Sequence, residues 1–419
     1  MVLFEMKSTL SMKSNFLTGF LSHEQNSEKL PKSVDVLIIG GGLLGTSLAY
    51  YLSKEKTEVL LLERDEINRE ASGTNAGSFH FQIALHQLTP HMTNSERVRL
   101  SAEVRLQVEA AKLWDGIEAE LDADLGVHFD GGFMVAETQE ELQVLRDKEK
   151  IENEAGLESY ILTGEEMHKF APFLARDLRG VAFCPREGHA NPLIVGPTYA
   201  YRAFENGAKI RTSCTVESVE VLEKSSPGSS GFRFRVKTSR GEVLCNRVVN
   251  AAGAWTMEIA KQVGLNLPMG LSGLHVNVTE PSEYFLKSMI QHIGRRLTLK
   301  QTPNNTFIIG GGWPAKYEAY PKRYSNLWSS TAGNLAVALR VLPMLRDVKL
   351  MRTWSGVWAY TKDFKPILGE SRKVPGYHVA MVPTGFTLGP MVAQLLANYM
   401  TSRDGSSELH KEFSVDREI

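Results

Sequence analysis

Cysteine is scarce. Cys184, Cys214 and Cys245 are the only three in 419 residues, far apart and with no CxxC pair. That argues against a disulfide framework or a zinc site, and it suits a reducing compartment; a cytoplasmic location is expected, with mitochondrial or peripheral membrane as alternatives. An excess of either charge is also missing: 47 Lys and Arg stand against 48 Asp and Glu, a net charge of −1. No nucleic-acid partner is expected from so balanced a chain. Residues 1–33 lack the continuous apolar core of a secretory signal, with one short patch at Phe16 to Leu21, and are expected to be an N-terminal extension, disordered or partner-binding. Val374 to Ser402 carries no Lys, Arg, Asp or Glu, but it is interrupted by Pro375, Gly376, Pro383, Gly385, Gly389 and Pro390. A spanning helix needs about 20 predominantly apolar residues in a row, so this stretch reads as a buried strand, a turn and a helix from Met391 to Met400. No tandem repeat, no metal-ligand spacing among the histidines and no Ser–His–Asp or paired-carboxylate signature is present.

What is present begins at Val34. Val36, Leu37, Ile38 and Ile39 form an uninterrupted apolar run, which is the pattern of a strand buried on both faces of a parallel sheet. Gly40, Gly42 and Gly45 follow as G-x-G-x-x-G, then a helical stretch to about Lys54, then an apolar strand Val59 to Leu62 ending at Glu63. Each part has a physical task. Gly40 allows a tight turn, Gly42 lets a pyrophosphate approach the backbone, and Gly45 lets the helix lie close to the strand. The helix N-terminus offers unpaired N–H groups to phosphate. Glu63, 18 residues beyond Gly45, can accept hydrogen bonds from ribose hydroxyls. The whole unit is a dinucleotide fold; by itself it leaves NAD, NADP and FAD open.

The remaining chain alternates strands and helices. Ser72 to Gly77 is small and turn-forming, and could wrap a cofactor with backbone amides. His80, His86 and His91 follow. Residues 93–121 read as a helix, GVHFDGGFMVAET as two short strands around a Gly-Gly turn, Glu140 to Ala155 as a charged, exposed helix, and Thr163 with Glu166 as a capping box. A helix is expected from Pro192 to Asn206, with Gly207 as its C′ residue. Cys214 to Leu222, Phe232 to Val236, and Val243 to Asn250 read as strands, the last running into AAGAW. Leu274 to Thr279, Leu297 to Gln301 and Thr306 to Ile309 are further strands, and Ser325 to Arg340 is helical.

Six ordered blocks carry a resemblance: IIGGGLLGTSLAYYL, ASGTNAGSFHFQ, REGHANP, VVNAAGAW, LKQTPNNTFIIGGGWPA, and RTWSGVWAYTKDFKPILG with GFTLGP. Over about Val34 to Met400 the chain resembles the FAD-dependent D-amino-acid oxidase superfamily, within it the glycine and sarcosine oxidases and, more narrowly, the flavin subunits of opine oxidases and D-hydroxyproline dehydrogenases. The resemblance implies an α/β fold in which a Rossmann-type FAD-binding domain (34–90, 183–262, 352–419) is interleaved with an α+β substrate domain (91–182, 263–351) built on a mixed sheet. It implies FAD as cofactor, with Gly40, Gly42, Leu43, Leu44 and Gly45 at the pyrophosphate and Glu63 and Arg64 at the adenosine. Ser72, Asn75, Ala76, Gly77 and Ser78 would line the phosphates and flavin, Val216 would touch adenine through its backbone, and Ala252 and Gly253 would lie beside the cofactor. Gly356 would stand near the flavin, with amides of Gly385, Phe386, Thr387 and Leu388 at its N1 and O2 side, where reduction gathers negative charge. Trp358 stands where monomeric sarcosine oxidases carry the cysteine that attaches flavin, and Thr74 where many relatives carry a basic residue; neither a thioether nor a salt bridge is expected there.

The chemistry that this resemblance implies is oxidation of a carbon–nitrogen bond in a secondary or D-amino acid, by hydride transfer from the neutral amine to flavin N5 and hydrolysis of the imine. The cofactor carries the redox step while the protein orients substrate and excludes water. A cation is then needed for the substrate carboxylate. Lys300 is the first candidate and Arg352 the alternative, with His80 and His275 as flavin-side or substrate contacts and Trp313, Trp358 and Tyr360 as pocket walls. The electron acceptor could be oxygen, a quinone or a partner subunit, in a hetero- or homo-oligomer. Two other readings stay open: the same fold acting on a hydroxy acid or polyol phosphate, and a flavin-binding assembly subunit without turnover.

Overall fold

A computed structural model describes residues 29–84, 88, 93–222, 231–319, 322–402 and 411–417. Most of the N-terminal extension, together with His86 and His91, lies outside the described residues.

Two eight-stranded sheets organise the chain. In the first, the apolar run Ser33–Ile39 lies at the centre, parallel to Val59–Leu62 on one side and Gly241–Asn250 on the other. Lys209–Arg211 and Tyr377–Met381 extend this parallel core, and Ile367–Glu370 closes it antiparallel. Its strands are buried on both faces, which is why they show no alternation: helices Leu43–Lys54, Pro192–Glu205 and Gly385–Thr401 cover one side. Gly207 has φ +96° and its N–H reaches the Phe204 carbonyl at 2.8 Å, ending the middle helix as expected.

The second sheet is mixed and runs in the order Leu350–Thr361, Met269–Thr279, Phe307–Gly310, Thr298–Gln301, Met289–His292, Gly132–Ala136, Gly180–Cys184, Tyr160–Leu162. Register sorts its residues by face. Lys300 pairs with Ile308, Ile308 with Val278, and Val278 with Arg352, so these four share one face. Leu299, Ile309 and Asn277 form the neighbouring row and point the other way, onto helix Trp328–Val341. The first face turns toward the dinucleotide unit: Trp354 donates to the Thr74 carbonyl at 2.8 Å, and Trp358 to that of Pro383 at 2.9 Å.

Several expectations need correction. Strand Leu350–Thr361 pairs along its length with Met269–Thr279, so the crossover back to the first sheet comes after Thr361 and not at 352; likewise Gly180–Cys184 belongs wholly to the second sheet. Only one strand forms in GVHFDGGFMVAET, at Gly132–Ala136, since His128 makes just an isolated bridge to His189. Thr163 caps its helix without a side-chain hydrogen bond, whereas full capping boxes form at Thr93–Glu96 and Thr138–Glu141. Helix Gly385–Thr401 begins six residues before Met391. It carries Pro390 inside it, where the ring removes one main-chain donor. Helix Gln139–Glu154 is not a wholly exposed one: Lys148 and Glu152 on its inner face are fully buried. Among the described residues no helix is long and apolar enough to cross a membrane.

Candidate active site

The glycine turn is a cradle that side chains would fill. Gly40 has φ +112°, and a Cβ there would sit 2.5 Å from the Ala251 carbonyl oxygen; one on Gly45 would sit 2.0 Å from that of Gly40. These two glycines therefore press helix and strand together. Gly42 is different, since its Cβ would meet only the Ser72 side chain, at 3.0 Å. Ser72 Oγ accepts from the Leu43 N–H at 2.9 Å, and Glu63 accepts from the Gly41 and Asp65 N–H groups at 2.6 and 2.9 Å. Glu63 thus holds the glycine turn as well as standing at the end of its strand. Arg64 lies 3.6 Å over the Trp255 ring and pairs with Glu70 at 2.8 Å. The Cys214 N–H donates to the Glu63 carbonyl at 2.9 Å, which brings the start of strand Val216–Val221 alongside.

Two further turns open onto the same region. Asn250 accepts from the Ala252 N–H and donates to the Thr256 carbonyl and Tyr377 hydroxyl, which fixes the turn carrying Gly253. A Cβ on Gly253 or Gly385 would meet no atom within 4 Å. Gly385 starts a long helix whose first turn is locked in place: the Thr387 carbonyl accepts from Trp114 Nε1 at 2.8 Å, its Oγ1 accepts from the His80 N–H at 3.1 Å, and Phe386 stacks on Phe79. Asn75 Oδ1 accepts from the Gly77 N–H at 2.7 Å and shapes the loop leading through Ala76 to Ser78. A Cβ on Gly356 would lie 2.3 Å from Thr74 Oγ1, so the second sheet meets this loop in close contact. Open backbone at 253 and 385, and a Gly42 that meets only the Ser72 side chain, beside two helix N-termini and one ribose-competent carboxylate, fit FAD. Replacing Glu63 with Ala would free the Gly41 N–H and is expected to weaken FAD binding on the order of tenfold. The ratio of flavin to protein absorbance after purification measures this; undiminished FAD would remove Glu63 from the site.

Lys300 lies on the inward face of the second sheet, 2% exposed. Its ammonium has no hydrogen-bond or ion-pair partner among the described residues, and burial pushes it down to about 7. His80 and His189 lie near enough to feel its charge. Burial first, and Lys300 in addition, take His80 down to about 4 and His189 to about 3, so both imidazoles are neutral at ordinary pH. His189 packs its ring 5.0 Å from that of His128, and its Nε2 is buried without a partner. The result is a buried lysine without a partner among the described residues, beside two neutral imidazoles, chemistry suited to a bound carboxylate.

Behind His80 runs a chain of buried polar groups. His80 Nδ1 lies 2.9 Å from Gln291 Oε1, and Gln291 Nε2 donates to Glu187 at 3.0 and 3.1 Å. Glu187 also accepts from the Phe81 and Gln82 N–H groups and from Gln82 Nε2. Lys148 donates to Gln82 Oε1 and to both oxygens of Glu152, each at 2.8 Å.

The other candidates are not gathered there. His275 occupies the opposite face, where its Nε2 meets Asn277 at 3.2 Å and Asn277 donates to Asn334; the sheet stands between it and Lys300. Arg352 is exposed and three strands from Lys300, about 14 Å at ordinary strand spacing. Tyr360 stacks 4.9 Å from Trp358 at the inward end of its strand, while Trp313 donates to the Arg296 carbonyl. His189, Glu187 and Gln291 escape a reading of the sequence. The first two sit in the REGHANP block, but nothing in a loop-like, polar block signals that it is buried.

Residues 35–399 match the DAO family, described as FAD dependent oxidoreductase. An opine oxidase subunit of Rhizobium meliloti is 28% identical over 382 residues, which cover 88% of this chain and 94% of that protein. The mitochondrial pyruvate dehydrogenase phosphatase regulatory subunit of Mus musculus is 27% identical over 399 residues, 90% of this chain but 42% of that longer protein. The crystal structure of L-proline dehydrogenase from P. horikoshii shares the fold, with a TM-score of 0.78 at 22% identity over 89% of this chain and 94% of that one. Matched over nearly its whole described length, the chain belongs to the DAO family of FAD-dependent oxidoreductases.

Proposed function

We propose that the protein oxidises the carbon–nitrogen bond of a small secondary or D-amino acid whose carboxylate is bound by Lys300. The observation that carries this is the Lys300 ammonium itself, 2% exposed and partnerless on the inward face of the sheet. A buried charge of this kind is costly unless a ligand supplies the counter-charge. Bound FAD supplies the two-electron oxidant. The chain's own residues do the rest: Lys300 fixes the carboxylate, neutral His80 and His189 border it without adding charge, and the second sheet shuts the site from water. Carboxylate binding restores the lysine proton that burial removes, so affinity is expected to fall as pH rises above about 7. The names of the relatives support the amino-acid reading, opine oxidase and L-proline dehydrogenase among them. Oxygen, a quinone or a partner subunit would take the electrons onward; the opine oxidase relative is by name one part of a larger enzyme.

Anaerobic mixing of the holoprotein with sarcosine, the proline isomers, hydroxyproline, opines and D-amino acids tests this directly. Bleaching of the oxidised flavin band by at least one of them is expected. No bleaching by any would favour a second reading, a flavin-binding subunit without turnover, which the similarity to a phosphatase regulatory subunit supports. Bleaching by a hydroxy acid or polyol phosphate alone would move the activity to another substrate class on the same fold.

A further inference from the structure

We propose that Glu187 is a positioning residue which, through Gln291, holds His80 in its Nδ1–H tautomer and so presents Nε2 as the hydrogen-bond acceptor for the substrate amine. The inference rests on the amino-acid reading above for its ligand, but not for its geometry.

The chain of orientation starts at Lys148, because an ammonium can only donate. It donates to Gln82 Oε1, which fixes that amide and turns Gln82 Nε2 toward Glu187. Glu187 therefore faces donors alone: the Phe81 and Gln82 backbone N–H groups, Gln82 Nε2 and the Gln291 side chain. A carboxylate so surrounded needs the Gln291 NH2 and not its carbonyl. Gln291 Oε1 is then the atom left at 2.9 Å from His80 Nδ1, and a carbonyl requires a proton on that nitrogen. Orientation passes in this way from a buried lysine through two amides and a carboxylate to one imidazole, and the tautomer follows from donor and acceptor counting.

His80 Nε2 is left with a lone pair and no partner among the described residues. The groups facing this ring are Lys300, whose charge depresses it, and Gln291, with neutral His189 sharing the Lys300 field. An imidazole kept neutral beside the carboxylate-binding cation can accept from an amine N–H without competing for the carboxylate. Glu187 is faced by Gln82, Gln291, Lys148 and Glu152, and burial raises it to about 7. Its protonation would let Gln291 turn, bring Nε2 of the amide to His80 Nδ1, and move the imidazole proton to Nε2.

Nitrogen-15 NMR of the holoprotein labelled at histidine reads the tautomer directly, with His80→Gln identifying the signal. At pH 8 the expected result is a protonated Nδ1 and a pyridine-like Nε2. Glu187→Gln should reverse the pattern, because the new amide offers a donor to Gln291. As that variant also opposes Gln82 Nε2 and could fail to fold, Gln291→Leu serves beside it: it should leave the two tautomers mixed. At pH 5.5, where His80 is still neutral, the wild-type signal should move toward Nε2–H. For the amino acid that bleaches the flavin fastest, Gln291→Leu should raise KM about tenfold with FAD fully retained. A protonated Nε2 in the wild type at pH 8 overturns the proposal, as does an Nδ1–H signal unchanged both at pH 5.5 and in Gln291→Leu. Failure of every amino acid to bleach the flavin would overturn the functional reading and leave the tautomer result standing.

Discussion

Lys300→Met is expected to lower kcat/KM by about 10²–10³ and, in the same protein freed of FAD, to raise thermal stability. The first effect follows from removing one partner of a desolvated charge pair, which costs roughly 2–5 kcal/mol, each 1.4 kcal/mol being about tenfold. The second follows from linkage. Burial lowers the Lys300 ammonium from 10.5 to about 7. Between those values the unfolded chain holds a proton that the folded protein lacks, so stability increases with pH across this window. At or below pH 7 the burial is at its most costly, on the order of 5 kcal/mol at 1.36 kcal/mol for each pH unit of depression. Methionine has similar length and no charge to bury. The melting temperature of the variant should therefore exceed that of the wild-type apoprotein by several degrees at pH 7, and the gap should close toward pH 10. Because His80 and His189, which feel the Lys300 charge, are already neutral throughout this window, the difference between the two curves from pH 7 to 10 reports Lys300. Equal melting temperatures at pH 7 would mean that the ammonium is solvated or paired after all, and with unchanged kinetics would remove Lys300 from the site. A lysine that lowers stability at the place where it would bind substrate is a trade of the kind expected at functional sites.

The dinucleotide unit is legible in the sequence because its constraints are local. Backbone clearance at Gly40, Gly42 and Gly45, an apolar strand on each side and an acid at its end are all written within one short stretch of chain. Lys300 is legible only through resemblance, since a lysine in an alternating strand says nothing of whether its face meets solvent or a second sheet. His275 shows the same limit from the other side. It lies two residues from Asn277 and shares its face, and that face turns to helix Trp328–Val341, which only the register with Ile309 and Leu299 reveals. A boundary at 352 does not hold because the twelve residues of Leu350–Thr361 carry two kinds of information. Their inward residues touch the dinucleotide unit while their backbone hydrogen bonds belong to the second sheet. The least legible feature is helix Gln139–Glu154. QEELQVLRDKEKIENE reads as solvated throughout, because pairing, not composition, is what allows Lys148 and Glu152 to be buried.

That pair yields the second large effect. Lys148→Met should destabilise the protein by about 3–5 kcal/mol, since it leaves the Glu152 carboxylate buried without its counter-charge, still accepting from the Ile83 N–H at 2.7 Å. The double variant Lys148→Met with Glu152→Leu removes both charges and should recover part of the loss. It cannot recover all of it: the Ile83 N–H and Gln82 Oε1 are then buried without partners, at about 1–3 kcal/mol each. Urea unfolding of the wild type, both single variants and the double variant closes the cycle and gives the coupling energy. A coupling near zero would show that the two charges are independent and solvated. Beyond stability, the single Lys148 variant removes the donor on Gln82 Oε1 and leaves that amide held only through Nε2, by Glu187 and the Gly132 carbonyl. If the orientation of His80 originates at Lys148, the single variant should blur the imidazole tautomer while FAD remains bound. A change confined to His80, with the glycine turn and its cofactor undisturbed, is what separates a device built to orient one side chain from an ion pair that serves packing alone.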